Sequence, residues 1–206
     1  MIELPLALEC SRLSEPGKVL DAGCSLNHAD LLPAMGPIQA RLVHFTISAE
    51  REPVCIDSDK VSYVFGDLRS IDFKDGTFDR IVCVSTIEHV GLDNTVYGGP
   101  RDHDPASWIT AYRELLRVLA PGGQMLITFP HGAAKNHGWF QVFDDRDLRR
   151  MLDESPSDRH QVKCYRYDDW WFEEQHGGVT HAPLLPAVKG EAVTGLAVLL
   201  VTKRAS

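Results

Sequence analysis

The sequence predicts an α/β fold in which a mostly parallel β-sheet lies between two layers of helices. Strand-like runs alternate with helix-like runs along the chain, as β-α-β units require. The run FDRIVCVST (78–86) is apolar at nearly every position after Arg80, which is typical of a strand that is covered on both faces. Both observations favour a three-layer sandwich with its sheet in the middle.

Five strands are predicted in the first two thirds of the chain. They are KVLDAG (18–23), ARLVHFTIS (40–48), VSYVFGD (61–67), FDRIVCVST (78–86) and GGQMLITFP (122–130). Two more, QVKCYRY (161–167) and TGLAVLLVTK (194–203), follow in the tail and are separated by an irregular stretch. Two strands at the end of such a series suit a seven-stranded sheet that finishes in an antiparallel hairpin. We expect a single domain over residues 1–206.

Two helices are clear from periodicity and capping. One is predicted from Pro105 to about Leu119, with Asp104 as its N-cap and proline at its first position. Its apolar residues recur every three or four positions and give one buried face; they are Trp108, Ala111, Tyr112, Leu115, Leu116 and Leu119. A second helix is predicted over about 145–153, after Asp144.

Composition narrows the classes of partner and location. The 206 residues carry a formal charge of −8, so no nucleic-acid partner is expected. The longest apolar run, LAVLLV (196–201), is too short for a membrane span, and the start lacks a secretory signal. Five scattered cysteines without C-x-x-C spacing predict reduced thiols, a cytoplasmic protein and no metal site.

The turn after the first strand, VLDAGCSLN (19–27), resembles a phosphate-binding turn but lacks its glycines. A dinucleotide fingerprint G-x-G-x-x-G would need glycine where Ser25 and His28 stand, so only Gly23 remains. This disfavours a nicotinamide-dependent oxidoreductase, which stays open as an alternative.

Three motifs occur in order along the chain: VLDAGCS (19–25), GDLRSIDFKDGTFDRIVCVSTIEHV (66–90) and ELLRVLAPGGQMLITFP (114–130). Together they resemble the class I S-adenosylmethionine-dependent methyltransferases over residues 18–203. The resemblance implies a Rossmann-like sandwich and S-adenosyl-L-methionine as cofactor. That cofactor has no phosphate, which agrees with the glycine-poor turn.

The resemblance also implies cofactor-binding residues. Asp21 would organise the first turn, Gly23 would let the chain pass close to the amino-acid part of the cofactor, and Ser25 belongs to the same turn. Asp67 would accept a hydrogen bond from the adenine amino group, while Leu68 packs against the ring or donates its amide.

The ribose position departs from the family pattern. The family usually places an acid at the end of the second strand, where this chain has Thr46. A hydroxyl binds a ribose more weakly than a carboxylate does. Thr46 and Ser48 could share that task, or Glu50 could reach back, or affinity for the cofactor is poor.

Candidate groups for the chemistry follow the fourth and fifth strands. Ser85 would lie at the cofactor, and His89 or His131 is the candidate base. A structural role for the pair Glu88–His89, fixing the loop, is the alternative. The polar, glycine-rich insert at 91–107 is a candidate lid. Asp93, Tyr97, Arg101, Asp102 and His103 are its substrate-side candidates.

The function expected from these features is transfer of a methyl group to oxygen or nitrogen of a small-molecule or glycan-like acceptor. A catalytically inactive binding or scaffold protein with the same fold is the first alternative, motivated by Thr46 and the turn. Because the segment before the first strand supplies one short helix at most, either the insert or a partner chain closes the pocket, or the pocket stays open to a large acceptor. A homo-oligomer therefore stays open.

Overall fold

The structure, a computed structural model, describes residues 2–48, 59–168, 170–173 and 195–205. The strands are β1 (Lys18–Ala22), β2 (Arg41–Thr46), β3 (Val61–Phe65), β4 (Phe78–Val84), β5 (Leu119–Pro130), β6 (Lys135–Asn136), β7 (Gln141–Val142), β8 (Arg159–Asp168), β9 (Trp170–Glu173) and β10 (Gly195–Thr202). The helices are α1 (Glu3–Ser11), α2 (Leu32–Met35), α3 (Trp108–Val118) and α4 (Asp145–Asp153). None of the helices in these ranges is both long and apolar enough to cross a bilayer.

Eight strands form one sheet in the order β3-β2-β1-β4-β5-β10-β8-β9. Strands β1 to β5 are parallel, and β10 lies antiparallel between β5 and β8. The predicted mostly parallel seven-stranded sheet with an antiparallel C-terminal pair is therefore confirmed. The structure adds one strand, because residues 170–173, predicted as irregular, pair with β8 at the sheet edge as β9.

Two hydrophobic cores cover the two faces of the sheet, which confirms the three layers. Alternate residues of β4 point to opposite faces, as the strand period requires. Ile81 and Cys83 join the core beneath α3 and α4, whereas Val82 and Val84 join the core beneath α1 and α2. Strand β4 is thus buried on both sides, as its apolar run predicts.

Helix α3 has the predicted apolar face but begins at Trp108, three residues later than expected. The Asp104 side chain accepts from the amide of Ala106, and its carbonyl accepts from the amide of Ser107 at 3.1 Å. These short-range bonds form a separate turn over residues 105–107. The predicted cap at Asp104 is therefore wrong, and the helix ends where β5 starts, at Leu119.

Helix α4 has the predicted bounds and a complete capping box. Asp144 accepts hydrogen bonds from the amides of Arg146 and Asp147 at 2.8 and 3.1 Å. The Asp147 carboxylate accepts in return from the amide of Asp144 at 3.2 Å. These contacts satisfy amides that have no partner within the first helical turn.

Replacing Asp144 by alanine removes this cap, so we expect Asp144→Ala to lower the free energy of unfolding by about 1 kcal/mol. Urea denaturation followed by circular dichroism measures the change. Asp153→Ala is the matched control, because Asp153 is exposed at the opposite end of α4, where a negative charge is unfavourable. Equal losses in both variants would contradict a specific role for the cap.

Candidate active site

A cavity of about 460 Å³ opens at the carboxyl ends of β1, β2, β3 and β4. The carboxyl ends of parallel strands are where ligands bind in open α/β sheets. Six of the nine residues predicted from the sequence line it: Gly23, Thr46, Asp67, Leu68, Ser85 and His89. Asp21, Ser25 and His131 are not among the lining residues.

Asp21 lies beneath the cavity and holds the first turn together. Its carboxylate accepts from the amide and hydroxyl of Ser25, at 3.1 and 2.9 Å, and from the amide of Leu26 at 2.8 Å. The fourth donor is Nδ1 of His44, at 2.7 Å on the neighbouring strand β2. Asp21 and His44 are both fully buried. Ser25 therefore stabilises the turn through Asp21. Because it does not line the cavity, it is not proposed to contact a ligand.

Gly23 is the point where the backbone comes closest to the loop after β4. It has a φ of 104°, in the region that favours glycine. A Cβ at this position would overlap the side chain of Thr86. The amide of Gly23 donates to the carbonyl of Phe45 at 2.8 Å, which fixes the turn against β2.

Thr46 lines the cavity at the end of β2, the position at which the family pattern has a ribose-binding acid. Its hydroxyl donates to the carbonyl of Ser48 at 3.2 Å. The Ser48 hydroxyl in turn donates to the carbonyl of Tyr97 in the insert. Both hydroxyls can still accept hydrogen bonds from a ligand. Glu50, the third candidate for this position, lies outside the described residues.

Asp67 follows β3 and carries a strong internal partner that the sequence did not predict. The guanidinium of Arg69 contacts both carboxylate oxygens, through Nε at 3.0 and 3.1 Å and through Nη2 at 2.7 Å. These bonds lower the pKa of Asp67, against the effect of its partial burial. Leu68 packs beside this pair at the wall of the cavity.

The insert closes one side of the cavity and is held in place by two ion pairs. Asp93 pairs with Arg101 at 2.8 Å across its neck, and Asp102 pairs with Arg69 at 2.5 Å. Tyr97 lines the cavity and is 47% exposed. Three predicted substrate-side residues therefore have structural partners in the protein, whereas Tyr97 faces the ligand space.

Ser85, at the tip of β4, has a φ of 42°, which is uncommon for a residue other than glycine. Its hydroxyl donates to Oε1 of Glu3 at 2.6 Å, and the same oxygen accepts from the Thr128 hydroxyl at 2.6 Å. Helix α1 thereby delivers an acid to the edge of the cavity. Left-handed conformations of this kind cluster at functional sites.

His89 is the titratable ring at the cavity. Its Nδ1 donates to the backbone carbonyl of Trp139 at 2.7 Å, so Nε2 carries the lone pair. Burial lowers the pKa of His89. Oε1 of Glu88 lies 3.9 Å from Nε2, beyond hydrogen-bond distance, and burial raises the pKa of Glu88 well above its usual value. The ring also contacts Tyr97 and Trp139, with centroids 5.4 and 5.3 Å away.

The structure does not bring His131, the other predicted base, to the cavity. His131 is buried, and its Nε2 lies 3.2 Å from a carboxylate oxygen of Asp145 at the start of α4. Its backbone pairs with Gly195 of β10. Because His131 is buried beside Asp145 and does not line the cavity, it is not proposed as the base.

Among the described residues, one group has three side chains within reach of a common metal ion: Asp21, Cys24 and His44, with ligand atoms within 4.8 Å. An ion there would compete with the amide of Leu26 and with His44 Nδ1 for the carboxylate. Because the carboxylate already has these donors, we assign no metal to it.

Comparison with known proteins identifies the family. Residues 20–127, more than half of the chain, match the family model described as a methyltransferase domain. The chain belongs to this family. The assignment confirms the resemblance to the S-adenosylmethionine-dependent methyltransferases that the sequence predicted, and with it the cofactor.

Two curated relatives match over short segments of this chain. Norajmaline N-methyltransferase of Rauvolfia serpentina is 36% identical over 69 residues, which is 34% of this chain and 18% of the relative. Sterol 24-C-methyltransferase of Eremothecium gossypii is 37% identical over 65 residues, 32% of this chain and 13% of the relative. The chain thus spans less than a fifth of either relative, so their acceptors do not transfer to it.

Solved structures share the fold across nearly the whole chain. The [4+2]-cyclase SpnF superposes with a TM-score of 0.63 at 19% identity, covering 98% of this chain and 80% of SpnF. The 1,6-didemethyltoxoflavin-N1-methyltransferase of Burkholderia thailandensis, solved with S-adenosylhomocysteine, gives 0.60 at 15% identity, covering 98% and 79%. At such identities the likeness establishes the fold alone.

The close approach at Gly23 gives a sharp test of the site. Gly23→Ala should weaken binding of S-adenosylhomocysteine by about tenfold or more, because the added methyl group must displace Thr86 and with it the turn. Calorimetric titration measures the affinity. Gly36→Ala is the matched control, since Gly36 also has a positive φ, of 60°, but a Cβ there meets no atom within 4 Å. Wild-type affinity in Gly23→Ala would show that the ligand binds elsewhere.

Proposed function

We propose that this chain transfers a methyl group from S-adenosyl-L-methionine to an oxygen or nitrogen atom of a small-molecule or glycan-like acceptor. The observation that carries the proposal is the meeting of four strand ends at one cavity that also contains a histidine with a lowered pKa. The donor carries its methyl group on a sulfonium, from which a neutral thioether leaves readily when the methyl group is transferred. The protein has to align the acceptor with it and remove a proton.

The residues at the strand ends fit such a donor. Gly23 gives a close backbone pass for its amino-acid part, and the hydroxyls of Thr46 and Ser48 can face a ribose. Asp67 presents a carboxylate for an adenine amino group, beside the apolar Leu68. None of these contacts requires a phosphate-binding helix N-terminus, which agrees with the glycine-poor turn.

His89 is the proposed base. Its Nδ1 is held by the Trp139 carbonyl, so its Nε2 is the atom that can take a proton from the acceptor. The neutral form of Glu88 is favoured by burial, so this acid does not keep the imidazole charged. The structural alternative for the Glu88–His89 pair predicts a loss of stability without a change in the pH profile.

The insert, together with the exposed side chains of Tyr97 and Trp139, is proposed to close over the acceptor. These two rings are 47% and 42% exposed and lie next to His89. Their apolar faces suit a planar or sugar-like acceptor.

Calorimetric titration with S-adenosylmethionine and S-adenosylhomocysteine tests the proposal. Micromolar binding of both supports an enzyme, followed by a screen of cell extracts with radiolabelled donor to find the acceptor. Absence of binding at millimolar concentration would favour the scaffold alternative instead. Nicotinamide cofactor in the purified protein would favour the oxidoreductase.

The pH dependence tests His89. Since its pKa is lowered, the unprotonated base persists on the acid side of neutrality, and kcat/KM should fall only below pH 6.5. His89→Gln should reduce kcat by a factor on the order of 100 or more and remove this acid limb. His28→Gln is the control and should keep both, because His28 is an exposed histidine that does not line the cavity. An unchanged limb in His89→Gln would exclude His89 as the base.

A further inference from the structure

Arg69 occupies a position between the two sides of the cavity that no motif assigned to it. It lies two residues after Asp67, and its guanidinium reaches from that residue to the insert. One end contacts both oxygens of Asp67, and the other contacts Asp102 at 2.5 Å and the Ser107 hydroxyl at 3.5 Å. The side chain is 28% exposed and lines the cavity.

The contacts leave Asp67 able to serve a ligand. A carboxylate can accept about four hydrogen bonds. Asp67 receives three N–H groups from Arg69: the backbone amide at 2.8 Å, Nε, and Nη2. The guanidinium fork fixes the plane of the carboxylate, and about one acceptor position remains for an adenine amino group. Arg69 therefore orients this acid and leaves it accessible.

The other end of Arg69 reaches a part of the insert that is tied to the acceptor side. The amide of Asp102 donates to Leu92, and Asp93 bridges to Arg101, so the two arms of the insert are joined at its neck. The arms enclose Tyr97, which lines the cavity. Asp102 is therefore connected through the neck of the insert to Tyr97 at the cavity wall.

The two residues that Arg69 joins, Asp67 and Asp102, are both acids and therefore repel each other. The same guanidinium contacts both acids, through Nη2 to Asp67 and through Nη1 to Asp102, so the two like charges lie within the width of one guanidinium group. Arg69 stands between them and is attracted to both. Without this cation the two carboxylates would repel each other, and we expect the insert to be held less firmly at the cavity.

We infer that Arg69 is a positioning residue that orients Asp67 for the donor and fastens the insert, so that donor binding and closure of the insert are coupled. The inference rests on the proposed function, since it concerns the same cavity. Asp102 is thereby a fastening residue of the lid, whereas the sequence suggested a contact with substrate. Coupling of this kind acts in both directions.

The test compares Arg69→Ala, Arg69→Lys and Asp102→Asn in the full chain, with S-adenosylhomocysteine as probe. Arg69→Ala should raise its Kd by about tenfold or more, and Arg69→Lys, which keeps the charge but loses the fork, by less. Hydrogen exchange of amides 92–102 should slow on binding in the wild type and no longer slow in Arg69→Ala. Asp102→Asn should weaken binding in the wild-type background and have no added effect on Arg69→Ala.

Arg113→Ala is the matched control, because Arg113 makes an equally short two-point pair with Glu154 outside the cavity. It should keep wild-type affinity and exchange. Tighter binding in Arg69→Ala would show that Arg69 blocks the site, and unchanged binding would show that it is irrelevant; either overturns the inference. If Arg69→Ala does not fold, Arg69→Lys and Asp102→Asn decide alone. Failure of the wild type to bind the probe would remove the proposed function and this inference with it.

Discussion

The carboxylate of Asp21 receives four hydrogen bonds inside a site that water does not reach, two from Ser25, one from Leu26 and one from His44. A buried charge is tolerated only when it is surrounded by donors in this way, so the four groups must keep their positions together. The turn after β1, its fixed distance to β2 and the place of Gly23 in the cavity all depend on this arrangement. Turns that bind phosphate obtain their shape from glycines. Here a side-chain acid performs that task.

The other end of the cavity uses charges in a different environment. Asp67, Arg69 and Asp102 are partly exposed, so their attraction is screened and each contact is individually modest. Arg69 contacts Asp67 at two points and Asp102 at a third, so these contacts together fix the orientation of its guanidinium. The buried acid therefore fixes the turn after β1, whereas the partly exposed Arg69 joins the end of β3 to the insert.

The sheet was predictable because its signals are local. Runs of apolar residues and turn signals located β1 to β5, β8 and β10 to within a few residues, and Asp144 marked the start of α4. The contacts of the site were less predictable because they join distant segments. Glu3 reaches Ser85 across 82 positions, and the pairing of Asp21 with His44 appears only once the register of β1 on β2 is known. Arg69 was close in sequence to Asp67 but lacked a signal that distinguished it from a solvent-exposed cation.

Thr46, the departure from the family pattern, is best considered together with the charges that surround the cavity. Asp67 and Asp102 share the one cation of Arg69, which leaves this group with a net negative charge. Glu3 adds an acid whose contacts at Ser85 and Thr128 are neutral hydroxyls. S-adenosylmethionine carries a sulfonium that its product lacks, so a cavity with surplus negative charge attracts the donor more strongly than the product. Loss of one ribose-binding acid lowers affinity for both alike, because both contain the same ribose. In the proposed binding mode, Thr46 therefore weakens binding of donor and product, while the acids that remain at the cavity favour the charged donor.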